Sequence, residues 1–180
     1  MPDQVDELLL VRDAQAGDWQ SAIARLEEVV AIWRRLGDRL QLAFDLIWLA
    51  FACGRAGRPR EARSAALEAL GLFRDAGNAT GIGLAFRDLA FLAVWEGRPQ
   101  EALTFAGAAE SLRDRIGGGP PPGFGGMLEG DPAAEARAQL SEDEAERCWQ
   151  LGRSMELEEA LSLAAVEPKP EPRAALRRPL

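Results

Sequence analysis

Gly-Arg-Pro-Arg-Glu-Ala occupies positions 57–62 of the chain, and Gly-Arg-Pro-Gln-Glu-Ala occupies positions 97–102. A weaker copy, Gly-Asp-Trp-Gln-Ser-Ala, stands at positions 17–22, so the copies recur every forty residues. Residues 38–77 and 78–117 align without a gap and share 12 identical positions. A fixed period in this range indicates stacked supersecondary units, each burying its apolar face against its neighbours.

Each forty-residue unit is predicted to be a pair of antiparallel helices. In the second unit the pattern predicts a first helix over 39–56, a bend at Gly57 and a second helix from Pro59 to about residue 76. Glycine adopts the left-handed conformation that ends many helices, and proline suits the first helical position, where its missing N–H costs nothing. The same pattern predicts further helices over 80–96, 99–116, 3–16 and 18–36. We therefore expect an all-α, right-handed solenoid of three helical hairpins over residues 1–117.

The composition changes after residue 117. Positions 118–131 are rich in glycine and proline and are predicted to form a connector without a core of its own. Helical patterning resumes over 132–140, and Ser141 followed by Glu144 has the spacing of a capping box at the start of a helix. Gly152 is interpreted as the end of that helix.

A last helix is expected over 155–165, so that residues 132–166 form a C-terminal helical cap on the solenoid. Positions 167–180 contain four prolines and scattered charges, which predict a disordered tail.

Charge narrows the classes of partner. The chain carries 29 acidic and 21 basic side chains, a net charge of −8, and its arginines are interleaved with Glu and Asp. Nucleic acids and acidic membrane surfaces require clustered Lys and Arg, so neither is an expected partner. The N-terminus lacks the pattern of a secretory signal, and the longest apolar run, 40–53, is shorter than the roughly 20 residues that span a bilayer. We expect a cytoplasmic protein.

Catalytic and metal-binding chemistry has no evident candidate. The chain has no His and no Tyr, and its only cysteines are Cys53 and Cys148, whereas a structural zinc site needs about four N or S ligands. Adjacent carboxylates such as Glu27 and Glu28 point about 100° apart on a helix and do not converge on one substrate atom. Cys53 stands in an apolar stretch and is expected to be inert. We predict a protein that is not an enzyme and has no cofactor or metal.

The repeated positions resemble the tetratricopeptide repeat family. The resemblance rests on large, small and turn-glycine positions, namely Leu46, Leu49, Ala50, Gly57, Ala62 and Ala69, and then Phe86, Leu89, Ala90, Gly97, Ala102 and Ala109. The forty-residue period, Arg-Ile-Gly at 115–117 and the segment 148–160 are similar to the C-terminal repeats of large bacterial regulators that carry ATPase and LuxR-type DNA-binding or cyclase modules. The resemblance implies protein or effector binding in bacterial transcription regulation, and it supplies no catalytic residue.

Two of the predicted helices are apolar around nearly their whole circumference. A helix with a single covered face shows a polar stripe, which 40–53 and 82–95 hardly do. The first helices of stacked hairpins line the concave side of a solenoid, so the repeat register selects a set of candidate partner-binding residues. They are Phe44, Ile47, Phe51, Leu84, Arg87, Phe91 and Trp95.

Three interpretations of this surface remain open. The helices over 132–165 fold back and bury it, or it binds a partner helix, a peptide or a second copy of the chain as a homodimer. In the third, it forms a pocket for a small apolar effector whose anionic group is held by Arg87. The main prediction is a non-catalytic protein–protein interaction module, and the alternative is an effector-sensing or oligomerisation module of a transcriptional regulator. Asp45, Arg87 and Asp88 are expected to have partners if they are buried, because a lone buried charge is costly.

Overall fold

The structure, a computed structural model, describes residues 16–117 and 130–166. Over these two ranges the protein is all-α, with eight helices and no strand. The helices are α1 (Trp19–Leu36), α2 (Arg39–Arg55), α3 (Pro59–Asp75), α4 (Ala79–Trp95), α5 (Pro99–Ile116), α6 (Pro132–Arg137), α7 (Glu142–Ser154) and α8 (Leu157–Ala165). The expected helix over 3–16, positions 118–129 of the connector and the tail over 167–180 lie outside the described residues.

The forty-residue period of the sequence is also the period of the helix starts. The helices α2 and α4 begin at Arg39 and Ala79, and α3 and α5 begin at Pro59 and Pro99. Since the prolines stand at the first helical position in both hairpins, the missing N–H breaks no hydrogen bond. The helix pairs predicted over 38–117 are therefore confirmed to within a residue or two at each boundary.

The bends between paired helices are equivalent. After α2, Gly57 has a φ of 74° and the next amide donates to the carbonyl oxygen of Cys53 at 2.8 Å. After α4, Gly97 has a φ of 75° and the next amide donates to the carbonyl oxygen of Ala93 at 2.8 Å. A residue with a Cβ adopts this left-handed conformation at a cost, which explains the recurrence of glycine.

Consecutive helices pack as hairpins, and each hairpin stacks on the one before it. Thus α2 packs against α3, α4 packs against α5, and α4 also contacts α2 and α3 of the preceding hairpin. Four alanines at the repeated small positions have no exposed surface: Ala50, Ala62, Ala90 and Ala102. Their small side chains let the helices approach closely, as the repeat register predicted.

The C-terminal helices extend the stack on one side. The short helix α6 lies against α4 and α5, where the first helix of a further hairpin would pack, and α7 packs along α5. On α3, Arg63 donates to the carbonyl oxygens of Ala164 at 2.8 Å and Val166 at 2.6 Å, at the end of α8. The helices α7 and α8 therefore lie beside the second helices of the hairpins and do not fold back over the concave side.

Gly152 lies inside α7, and the interpretation that it ends the helix was wrong. A Cβ at Gly152 would stand 2.0 Å from the carbonyl oxygen of Thr104, and a Cβ at Gly107 would stand 2.5 Å from that of Trp149. These two glycines let the backbones of α5 and α7 come into contact. The sequence pattern misled because a glycine can mark a close helix crossing as well as a helix end.

Candidate functional site

Three of the candidate partner-binding residues form an aromatic cluster between α2 and α4. The ring centroids of Phe51 and Phe91 are 5.6 Å apart, those of Phe51 and Trp95 are 5.6 Å apart, and Phe91 stacks on Trp95 at 5.5 Å. The guanidinium of Arg55 lies 5.9 Å from the Trp95 ring centroid and 5.2 Å from that of Trp19. The cluster joins the stacked first helices, and its edge carries a cation–π contact that the sequence did not indicate.

The other aliphatic and aromatic candidates of α2 take part in packing. Ile47 has no exposed surface, and Phe44 meets Phe73 of α3 edge to face with a centroid distance of 5.0 Å. Phe51 and Phe91 are 5% and 1% exposed. The side chains nearest to solvent among the candidates are consequently the half-buried Phe44, Arg87 and Trp95.

Leu84 and Arg87 line a cleft of about 490 Å³ between α4 and α5. Its inner surface is made of the small residues Ala79, Gly83, Ala106 and Ala109, and its apolar walls are Leu84, Ile116, Pro132, Ala133 and Trp149. Its polar side chains are Thr80, Arg87, Glu110, Arg113 and Asp131. A concave, largely apolar space with a few polar groups is the usual form of a binding site.

Arg87 is the cleft's half-buried cation. Its guanidinium donates to the carbonyl oxygen of Gly130 at 3.2 Å and lies 5.5 Å from the ring centroid of Phe91. Burial lowers the pKa of Arg87, and the nearby Asp88 and Asp131 act in the opposite direction. The guanidinium therefore ties α4 to the backbone that leads into α6.

The second cation of the cleft stands on α5. Arg113 is exposed and forms an ion pair with Glu110, one helical turn earlier. The Arg113 charge is shared with that partner and screened by water, so it contributes less to binding than the more deeply placed Arg87.

Asp88 is 1% exposed, and neither of its carboxylate oxygens has a hydrogen-bond partner. Burial raises its pKa well above the ordinary value, and the neighbouring charge of Arg87 only partly opposes this. The expectation that a buried Asp88 would have a hydrogen-bond partner was wrong. Burial favours the neutral carboxyl group over the carboxylate, which lowers the cost of leaving this side chain without a partner. Asp45 does have one, since Trp33 Nε1 donates to its Oδ2 at 2.5 Å.

Little in the described residues suggests covalent or metal chemistry. Cys53 is buried, and desolvation raises the pKa of its thiol to about 11, which disfavours the reactive thiolate. Among the residues described, no group of three or more His, Cys, Asp or Glu side chains could hold a metal ion. None of the described helices is long and apolar enough to cross a membrane.

Comparison with known proteins agrees with this architecture. Residues 13–75 match the family model for the tetratricopeptide repeat. The match covers the first part of the helical stack, from before α1 to the end of α3, and α4 and α5 repeat the helix starts of α2 and α3. Tetratricopeptide repeats generally mediate protein–protein interaction and are typically non-catalytic scaffolds. Neither a curated protein nor a solved structure matches the chain.

The candidates chosen from the sequence include Leu84 and Arg87 of the cleft lining but not the small residues beside them. Ala79 and Gly83 are spaced i, i+4 on α4, and Ala106 and Ala109 are spaced i, i+3 on α5. This spacing on two paired helices is a usable signal for a surface that receives another helix. Whether this small-residue spacing marks a cleft depends on the length of α6, which the sequence did not show.

Proposed function

We propose that the protein is a non-catalytic protein-binding module that takes its partner in the cleft between α4 and α5. The observation that carries the proposal is that this cleft occupies the place where the next first helix of the stack would pack. Its inner surface is apolar, and Arg87 supplies a partly desolvated cation at one end. The tetratricopeptide match over 13–75 supports binding of a protein in preference to catalysis.

The candidate residues contribute unequally to this proposal. Arg87 contacts the partner directly, the buried Leu84 forms part of the apolar cleft wall, and Trp95 lies at the edge of the aromatic cluster. The buried Phe51 and Phe91 hold α2 against α4 and so keep the cleft wall rigid. A second copy of the chain is an admissible partner, which light scattering distinguishes by doubling the mass of 19.5 kDa.

The test is site-specific crosslinking in the organism that encodes the chain. A photo-reactive amino acid replaces Thr80, which lines the cleft, and in a control replaces the exposed Arg60 on α3. We expect a discrete protein adduct from position 80 that is missing from position 60. The same products from both positions, or none from position 80, would contradict the proposal.

The purified adduct partner then allows a quantitative measurement. Arg87→Glu is expected to weaken its binding at least tenfold, because a half-buried anion replaces the cation of the cleft. Arg60→Glu makes the same change of charge on an exposed surface and is expected to leave the affinity within twofold. Equal losses in both variants would indicate a general effect of charge and not a site.

A small organic anion is the second candidate occupant. The cleft volume lies in the range of pockets that hold small ligands, and Arg87, whose guanidinium can donate to a carboxylate, is among its lining residues. A panel of aryl and alkyl carboxylates that raises the melting temperature of the wild type but not of Arg87→Glu would favour an effector-sensing role. The bacterial regulatory setting and the cytoplasmic location remain predictions from the sequence, and neither candidate depends on them.

A further inference from the structure

We infer that the face of α3 and α5 beneath α8 is a helix-binding surface, on which a partner helix with the apolar pattern of α8 replaces it. In the structure α8 is the ligand of this surface, supplied by the chain itself. The inference is independent of the proposed function, because among the described residues none that lines the cleft belongs to α3 or α8. It follows from the way in which α8 is held.

The contact between α8 and the stack is made by a narrow stripe of the helix. Its two buried residues, Ala160 and Ala164, stand one turn apart and join the main apolar core. Leu157, Leu161 and Leu163 are half-buried and pack against the same core, and the other four residues of the helix are exposed. An amphipathic helix laid by one face on a groove is a common mode of recognition between separate chains.

The start of α8 is stabilised by its own residues. Glu156 and Glu159 form a capping box, in which the carboxylate of Glu159 accepts the amide of Glu156 at 3.0 Å. Two residues with extended backbone, Met155 and Glu156, separate α8 from α7, with ψ angles of 138° and 154°. The helix therefore begins without help from the stack and is joined to α7 by a short hinge.

The end of α8, in contrast, depends on another helix. Each of the helices α1 to α5 is followed within two residues by a glycine of positive φ, whereas Val166, which follows α8, is extended. The carbonyl oxygens of Ala164 and Val166 accept hydrogen bonds from Arg63 of α3 at 2.8 Å and 2.6 Å. A cation at the C-terminus of a helix also interacts favourably with the helix dipole.

Arg63 is itself held in place by the stack. Its side chain is 11% exposed, and its guanidinium lies 3.8 Å from the carboxylate of Glu101 on α5. The charge is therefore fixed between α3 and α5 and is presented to the last carbonyl groups of the helix that lies on them. This is a polar anchor at one end of an apolar contact, the arrangement that gives a binding surface its orientation.

The short length of α8 makes it exchangeable. A helix of nine residues is not stable by itself in water, so α8 forms because the surface binds it. Segments that bury few side chains open locally while the rest of the protein stays folded. A competing helix needs the same pattern: small residues four positions apart, leucines beside them, and terminal carbonyl groups that accept from Arg63.

The test uses the full chain and a fluorescent peptide with the sequence of residues 154–166 and blocked ends. Ala164→Glu places a charge in the buried stripe and is expected to detach the chain's own α8. Ala165→Glu is the matched control, because that neighbouring residue is exposed. Fluorescence anisotropy measures binding of the peptide, and far-UV circular dichroism with thermal melts establishes that the stack remains folded.

We expect the peptide to bind Ala164→Glu at least tenfold more tightly than the wild type or Ala165→Glu. In the latter two chains the attached α8 competes at an effective concentration on the order of 1 mM. Adding Arg63→Gln to Ala164→Glu should weaken peptide binding at least tenfold, since the terminal carbonyl groups lose their charged donor. A peptide that carries Ala160→Glu should not bind.

Amide hydrogen exchange provides a second measurement in which the sequence of α8 is unchanged. Arg63→Gln should speed the exchange of α8 at least tenfold and leave that of α7 within twofold, because α8 opens about the hinge at Met155 and Glu156.

The inference is overturned if the peptide fails to bind Ala164→Glu or binds all three chains equally. Loss of the whole fold in Ala164→Glu but not in Ala165→Glu would also overturn it, because α8 would then be an integral part of the core. Equal acceleration of exchange in α7 and α8 would have the same consequence. None of these outcomes bears on crosslinking from position 80, so the proposed function stands or falls separately.

Discussion

Asp88 is the residue whose environment departs most from its ordinary chemistry. Its pKa is raised by burial, so at pH values between the ordinary Asp value of about 3.9 and the folded value the native state holds a proton that the unfolded chain has released. The free energy of unfolding therefore falls as pH rises through this interval, by up to about 1.4 kcal/mol per pH unit. The chain has no histidine, so few other groups titrate between pH 5 and 7.

The prediction is that urea denaturation shows the wild type losing stability as the pH rises above the ordinary Asp pKa of about 3.9. Asp88→Asn cannot ionise and should lose much less over the same interval. The measured quantity is the difference between the two pH profiles, which removes the contributions of other groups. Parallel profiles would show that Asp88 is ionised in the folded protein.

Gly152 is the residue at which the backbones of α5 and α7 meet most closely. A Cβ there would overlap the carbonyl group of Thr104, so we expect Gly152→Ala to destabilise the fold by about 3 kcal/mol as the helices are pushed apart. Gly83→Ala is the matched control, since its added methyl group has room and a helix interior favours alanine by about 1 kcal/mol. The melting temperature should fall for Gly152→Ala and rise for Gly83→Ala. Equal shifts in the two variants would mean that the close crossing of α5 and α7 does not contribute to stability.

At the scale of the helices, the sequence predicted where helices begin and end better than it predicted which helices pack together. Helix starts at Pro59 and Pro99 follow from local chemistry, because proline and the preceding glycine act within one turn. The role of Gly152 could not be found this way, since its partner Thr104 is distant in sequence. For the same reason, repeat register placed Leu84 and Arg87 correctly on α4 but could not show that α6 stops short and leaves them beside a cleft.

Helix α2 allows a test of how much local capping contributes to an element whose faces are mostly buried. The carboxylate of Asp38 accepts the amides of Leu40 at 3.2 Å and Gln41 at 3.1 Å. Asp38→Ala should reduce the free energy of unfolding by about 1 kcal/mol, because these amides lose their acceptor. Asp75→Ala is the control, since that carboxylate makes only exposed ion pairs and should change stability by less than about 0.5 kcal/mol. Equal losses in urea denaturation would argue against the cap.

At the scale of the whole molecule, the cleft exists because a repeating stack ends irregularly. Each hairpin presents to the next a surface suited to a helix, and stacking normally covers it. After α5, the described part of the chain supplies six residues of helix beside α4, in α6, and α7 then packs on α5. The surface that α6 leaves beside α4 and α5, as far as the described residues show it, is therefore formed by the same packing rules that built the stack.

The same view predicts how stability is distributed along the chain. In a stacked array each helix is held mainly by its neighbours, so local opening is least frequent where neighbours lie on the most sides. The helix α4 contacts α2, α3, α5 and α6, and twelve of its 17 residues are buried. The helix α8 makes fewer contacts and buries two of its nine residues, and α1 buries four of 18.

Amide hydrogen exchange followed by mass spectrometry should therefore show the slowest exchange in α4, faster exchange in α1 and the fastest in α8. Since cooperative unfolding of the whole stack exposes every amide together, equal exchange rates in these three helices would instead mean that the array opens only as a single unit.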